Sequence, residues 1–192
     1  IGKRPVATSR VDLNQIVPDV RRFMASALSH QAVAMDLQLD AGPVAVMGDT
    51  VQLQQVVLNL AVNAMDATSA IAGLVRHIEI RTVRVTGDRI ELTVSDNGHG
   101  IPEEELPRLF EPFFTTKPQG CGLGLPIARG IVEAHGGRIA AGNQATGGAV
   151  FRLVFPAAPE AANAGEVAYP SLRDLPVRDP APRGNAPFPK GQ

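Results

Sequence analysis

An α+β fold, a two-layer sandwich with about three helices on one face of a mixed sheet, is predicted by three observations. Strict apolar–polar alternation marks half-buried strands at residues 78–85 and 90–94, separated by a Gly87-Asp88 turn, which makes a hairpin. Apolar residues recurring every three or four positions mark helices at residues 11–28 and 49–68. A third helix is framed by Pro126, suited to a first turn, and by the stop at Gly136-Gly137 after His135. Each helix then has one apolar side to cover, and the simplest place to bury it is a sheet face.

Taken in order, the first helix carries Leu13, Ile16, Val17, Val20 and Phe23 on its apolar stripe. Residues 34–39 alternate weakly and residues 44–47 form a short apolar run, so both are candidate strands. Asp49, with Gln52 three positions on, has the character of an N-cap and opens the long helix to about Thr68. After the hairpin comes a loop rich in Gly, Pro and Phe, from residue 96 to 122, and then the third helix. Two last strands, 138–141 and 149–155, flank a turn at Thr146-Gly147-Gly148.

The 44% apolar content supports a packed core, and the composition changes near Pro156. Half of the 16 prolines follow Phe155, among Ala, Gly, Glu and Arg without a hydrophobic period. Such a stretch buries too little apolar surface to offset its ordering entropy. Residues 1–155 are therefore expected to be the domain, and 156–192 a disordered tail or linker. The start at Ile1 gives the expectation of a fragment. A net charge of -1 offers no electrostatic footprint for nucleic acid or anionic membrane, so neither is an expected partner. No apolar run approaches the roughly 18 residues of a membrane helix. The single Cys121 excludes an internal disulfide framework and fits a reducing compartment, so the cytoplasm is the expected location, whatever membrane anchor a parent protein carries.

Three segments carry candidate chemistry. The long helix packs Leu53, Val57, Leu60, Ala61 and Ala64 inward and sets Gln52, Gln55, Asn59, Asn63 and Asp66 in one row on the other side. That row has no cation; its oxygens suit hydrated Mg²⁺ and the phosphates carried with it, and alone it equally suits an ordinary wet face. Asp96-Asn97-Gly98-His99-Gly100-Ile101 follows a strand directly; its carboxylate can accept from the exocyclic amine of adenine, or the segment is a plain turn. Gly120-Cys121-Gly122-Leu123-Gly124-Leu125 precedes a helix, where free N–H groups and the dipole make an anion site, or it is a flexible glycine loop. It lacks the Gly-Lys-Ser/Thr of a P-loop and the spacing of a dinucleotide fingerprint. Between the boxes, three of the seven Phe fall at residues 110–114, as anchors for a movable lid or as a small hydrophobic cluster.

In this order the segments resemble the catalytic and ATP-binding domain of sensor histidine kinases. Gln55-Val56-Val57-Leu58-Asn59-Leu60-Ala61-Val62-Asn63-Ala64 resembles the asparagine box, residues 96–100 the first glycine box, 109–114 the phenylalanine box and 120–125 the second glycine box. The short lid, with Phe113-Phe114-Thr115-Thr116-Lys117 close before the glycines, is similar to the nitrogen-regulation and oxygen-sensing branch. The resemblance implies the Bergerat fold with ATP under the lid. It implies Asn63 as the Mg²⁺ ligand with Asn59 nearby, and Asp96 on the adenine amine among Gly98, Gly100 and Ile101. Backbone N–H groups from Gly122 through Leu123, Gly124 and Leu125 then hold phosphates, with Gly120 opening that loop. Lys117 is the candidate phosphate cation, because the basic residue common just after the second asparagine is missing and Asp66 stands in that region instead. The family's Thr or Ser after Gly147-Gly148 is replaced by Ala149, so one adenine-side hydrogen bond is expected to be absent or water-mediated. Cys121 likewise replaces a usual Thr or Ser, as a tolerated substitution rather than an oxidant sensor.

Related ATPases of the gyrase, chaperone and mismatch-repair type carry a water-activating glutamate at the position of Asn59. An amide cannot take a proton, which favours phosphate transfer over hydrolysis. None of His30, His77, His99 and His135 sits in a phosphoacceptor box, since the residues after Ser29-His30 lack the acidic residue and the proline. The resemblance thus implies a protein-histidine kinase fragment without its acceptor. Its partners would be a histidine-bearing dimerisation domain and a response-regulator receiver domain. An anti-sigma-type serine kinase of the same fold and an ATP-binding-deficient pseudokinase that serves as an interaction module are the alternatives.

Overall fold

In the computed structural model, which describes residues 9–69, 75–86, 88–117 and 120–159, alternation along the strands builds a five-stranded sheet with one apolar face. The strands β2 (Val33–Gln38), β4 (Arg76–Val85), β5 (Arg89–Asp96), β6 (Arg138–Asn143) and β7 (Ala149–Pro156) lie in the order β2-β4-β5-β7-β6. β2 runs parallel to β4 and every other pair is antiparallel, so the sheet is mixed as predicted. In register, Ile80 faces Val94 and Val94 faces Phe151, while Thr82 faces Leu92 and Leu92 faces Leu153. All of these side chains are buried.

Three helices cover that face: α1 (Leu13–His30), α2 (Thr50–Ser69) and α3 (Gly124–Ala134). α1 starts two residues later than its periodicity suggests, because Asp12 caps it by accepting from the Asn14 N–H at 3.0 Å. The residues before it form a strand the sequence did not disclose, β1 (Ser9–Asp12), paired antiparallel with β3 (Ala45–Gly48) as a separate ribbon. Phe23, counted into the apolar stripe, is 77% exposed; Met24, one residue on and also in helical step with Val20, takes the inward place. α2 opens at the expected cap, with Asp49 Oδ1 accepting from the Gln52 N–H at 2.9 Å. The buried hydroxyl of Thr82 donates to Asn14 Oδ1 at 2.6 Å, which ties α1 to β4 without an unpaired polar group.

His135 caps α3 and joins it to α2. The Asp49 N–H must donate, so His135 Nε2 is the acceptor at 3.0 Å, and its Nδ1–H donates to the Ile131 carbonyl at 2.7 Å. The compact unit continues past the expected boundary at 155. Ala157 and Ala158 donate their N–H groups to Asp88 and Ala45, and the unit ends at Ala158. Residues 160–192, expected to form the tail, lie outside the described residues, as does Gly87 of the predicted turn. Among the described residues no helix is long and apolar enough to cross a membrane.

Candidate nucleotide-binding site

The alternation that builds the core also buries a carboxylate. Ile90, Leu92 and Val94 point inward from β5, and the next inward position is Asp96, 3% exposed. Its Oδ1 accepts from the Gly98 N–H at 2.8 Å and the Ala149 N–H at 3.3 Å. Desolvation raises its pKa above the usual carboxylate value, and the two N–H donors and the nearby His99 charge only partly oppose that. Ala149 thus reaches Asp96 through its backbone, although it has no hydroxyl to offer.

Asp96 lies in a cleft of about 860 Å³. α2 contributes Asn63 and Asp66 to its wall, and the first glycine box contributes Gly100 and Ile101 beside Asp96. The lid adds Lys117, and the second glycine box adds Gly120, Gly122, Leu123, Gly124 and Leu125. The predicted boxes therefore converge. The exception is the row on α2, which does not act as a unit. Spanning fifteen residues with a rise of about 1.5 Å per step, it is roughly 20 Å long, and the cleft meets only its last turn. Gln55 lines a shallow groove against α1 with Asp19 and Phe23 instead. Asn59 braces the helix start, its Nδ2 donating to the Gly124 carbonyl at 3.2 Å.

In the lining of the same cleft, one ammonium group is shared by two oxygens. Lys117 Nζ donates to Asn63 Oδ1 at 2.9 Å and to Asp66 Oδ2 at 2.5 Å, which ties the lid to α2. The phenylalanines divide their roles. Phe110 packs on the core with Leu109, while Phe114 lines the cleft beneath the Arg108 guanidinium, 4.6 Å from its ring centre. Phe113, expected as a third anchor, is 74% exposed, because the backbone turns there through φ 67°. The Phe113 N–H donates to the Gly122 carbonyl, and Gly122 is itself at φ 64°. A Cβ on Gly122 would lie 2.5 Å from the Phe113 carbonyl carbon, so glycine is required where the lid meets the second glycine box. No side chain caps α3; Pro126 has no N–H and the Ile127 N–H donates to the Leu123 carbonyl, so the N–H groups of Gly124 and Leu125 are the ones that border the cleft as anion donors.

The comparisons with known proteins agree with this geometry. The family model for the histidine kinase-, DNA gyrase B- and HSP90-like ATPases matches residues 48–159. The chain belongs to this family. Within these ATPases it stands with the sensor histidine kinases. It is 40% identical over 148 residues to the sensor protein FixL of Bradyrhizobium diazoefficiens, a match covering 77% of this chain and 29% of FixL. The catalytic domain of histidine kinase ThkA superposes with a TM-score of 0.70 at 32% identity, covering 80% of this chain and 97% of that domain. ThkA has also been solved in complex with the response regulator TrrA, and that kinase superposes with a TM-score of 0.66 at 30% identity over 80% of this chain and 43% of ThkA. The chain is thus the ATP-binding catalytic domain of a histidine kinase. It spans less than a third of the length of FixL.

Two contributors were missed in the sequence. Asn143, the last residue of β6, and Gln144, the first of the β6–β7 turn, hold the first glycine box by side-chain hydrogen bonds. An amide at a strand end gives no periodic signal, and its partner Ile101 is 42 positions away.

Proposed function

We propose that this domain passes the γ-phosphoryl group of Mg-ATP to a histidine on a separate dimerisation domain, from which a response-regulator receiver domain takes it. The observation that carries this reading is that a buried carboxylate, Asp96, and an oxygen pair, Asn63 and Asp66, line one cleft. The Lys117 ammonium already bridges Asn63 Oδ1 and Asp66 Oδ2, so these oxygens converge on a single cation. Among the described residues no cluster of three or more His, Cys, Asp or Glu could cage a metal alone. Two protein oxygens, with the remaining places left to phosphate and water, suit Mg²⁺ in the way it is usually held. Bound there, Mg²⁺ would neutralise charge on the β- and γ-phosphates.

The rest is done by the chain's own groups. Asp96 accepts from the adenine amine and orients the base. The N–H groups at the start of α3 hold phosphate oxygens, and Lys117, once released from α2, supplies a mobile positive charge to them. Asn59 donates to Gly124 and offers no basic atom to a water molecule, so the site positions a phosphoryl donor without activating a hydrolytic nucleophile. The complex of ThkA with TrrA supports a receiver domain as the onward partner.

Titration of the chain with ATP, with Mg²⁺ and with a chelator, tests the reading. Binding is expected only with Mg²⁺, and Asn63→Ala is expected to abolish it while the circular dichroism spectrum stays the same. A variant that retains wild-type affinity would remove Asn63 from the metal site. A wild type that binds no nucleotide would make the domain an interaction module.

A further inference from the structure

The first glycine box has no regular structure of its own, yet it must hold Asp96 in place against a small planar base. On one side it is tied to β4: the Asn97 N–H donates to the His77 carbonyl at 3.2 Å, and Asn97 Oδ1 accepts from the His77 N–H at 2.8 Å. On the other side it is held by the end of β6 and the start of the turn that follows it. Asn143 Oδ1 accepts from the Ile101 N–H at 2.7 Å, and Asn143 Nδ2 donates to the Ile101 carbonyl at 2.7 Å. One side-chain amide thereby satisfies both main-chain groups of one residue, as a hydrogen-bonded partner does in an antiparallel sheet. Next to it, Gln144 Nε2 donates to the Asp96 carbonyl at 2.8 Å and to the Ala149 carbonyl at 3.3 Å. The approach is close enough to exclude a side chain at Gly148, where a Cβ would lie 1.8 Å from the Asp96 carbonyl oxygen.

Ile101 and Asp96 line the cleft, and the clamp grips both through their main-chain groups. We propose that Asn143 and Gln144 are positioning residues for base recognition. They fix the main chain at Asp96 and Ile101, so that the Asp96 carboxylate meets the exocyclic amine of adenine at one distance and angle. This inference rests on the reading of the cleft as an ATP site. The residue type at 143 follows from the geometry. Aspartate at that position would accept from the Ile101 N–H but leave its carbonyl unpaired, and alanine would leave both. A loosened box presents Asp96 over a range of positions, and the hydrogen bond that distinguishes an amine from a carbonyl is the first interaction to suffer.

The test compares Mg-ATP with Mg-GTP, which share the triphosphate but differ at the base position facing Asp96: an amine in one, an oxygen in the other. The wild-type chain is expected to prefer ATP. Asn143→Ala is expected to lower the ratio of ATP to GTP affinity about tenfold, through ATP alone, with Asn143→Asp and Gln144→Ala lowering it by smaller factors. Faster hydrogen exchange at the Ile101 amide should accompany the loss in Asn143→Ala. A merely structural role would reduce the folded fraction and weaken both nucleotides equally, leaving the ratio unchanged. An unchanged ratio in both alanine variants would overturn the inference, whatever happens to their melting temperatures. A wild type that binds neither nucleotide, or binds both equally, would instead overturn the reading of the site itself.

Discussion

Desolvation raises the pKa of Asp96 above 3.8, against the lowering influence of the Gly98 and Ala149 N–H groups and of His99. The folded-state value therefore exceeds the unfolded one, and the neutral carboxyl is the form that folding favours. The stability it contributes is full below pH 3.8 and is lost as the pH rises through the folded value. Above that pH window the ionised carboxylate is desolvated by folding, which weakens the fold, while under the proposed reading of the cleft the same group accepts from an amine. Asp96→Asn should separate the two effects: at pH 7 the urea midpoint rises, while ATP affinity falls at least about tenfold as a charged acceptor becomes an amide. In the wild type, ATP affinity should begin to fall at a higher pH than an unperturbed aspartate would allow. A midpoint that drops in Asp96→Asn, or an affinity that does not, would contradict this account. The inward position of Asp96 was legible in the sequence because strand alternation along β5 fixes its direction. Asn143 was not legible, because the identity of a polar residue at a strand end says nothing about what folds against it.

Elements meet at a few joints, and His135 occupies one of them. It links the C-terminal end of α3 to the first turn of α2, the helix that bears Asn59, Asn63 and Asp66. Removing the imidazole leaves the Asp49 N–H without its acceptor, at a cost of about 1–2 kcal/mol. For a domain of this size His135→Ala should lower the melting temperature by roughly 2–8 °C. ATP affinity measured well below that temperature should remain within about twofold of the wild type, since the ring is outside the cleft. An unaltered melting curve would refute the joint. The long helices and the β4–β5 hairpin were plain from periodicity, because each buries one continuous face. β1 was not, since four residues with Val11 as their one inward apolar side chain also fit the period of the helix that follows. The division among the phenylalanines was equally hidden: composition shows an aromatic cluster, but the backbone turn at Phe113 decides which ring faces water.

At the scale of the whole molecule, the proposed reading of the chain as a phosphate donor places the acceptor histidine on a separate domain. His30 is exposed at the end of α1, His77 pairs with Asp36 on the surface, and His135 is committed to Asp49 and Ile131. Incubated alone with γ-labelled ATP, the chain should stay unlabelled; with a histidine-bearing dimerisation domain added in trans, label should appear on that domain. Strong labelling of His30 would refute this. The lid shows how such a donor rests between encounters. The pair of Lys117 with Asp66 is partly exposed on both sides, and pairs of that kind are worth no more than about 1 kcal/mol. That biases the Lys117 ammonium toward Asp66 by a factor of only about five. The pair is also open to screening, with a Debye length of about 8 Å at physiological ionic strength. Added salt should hasten nucleotide entry by loosening the lid and weaken nucleotide retention by screening the phosphates, so the rates of arrival and departure rise together.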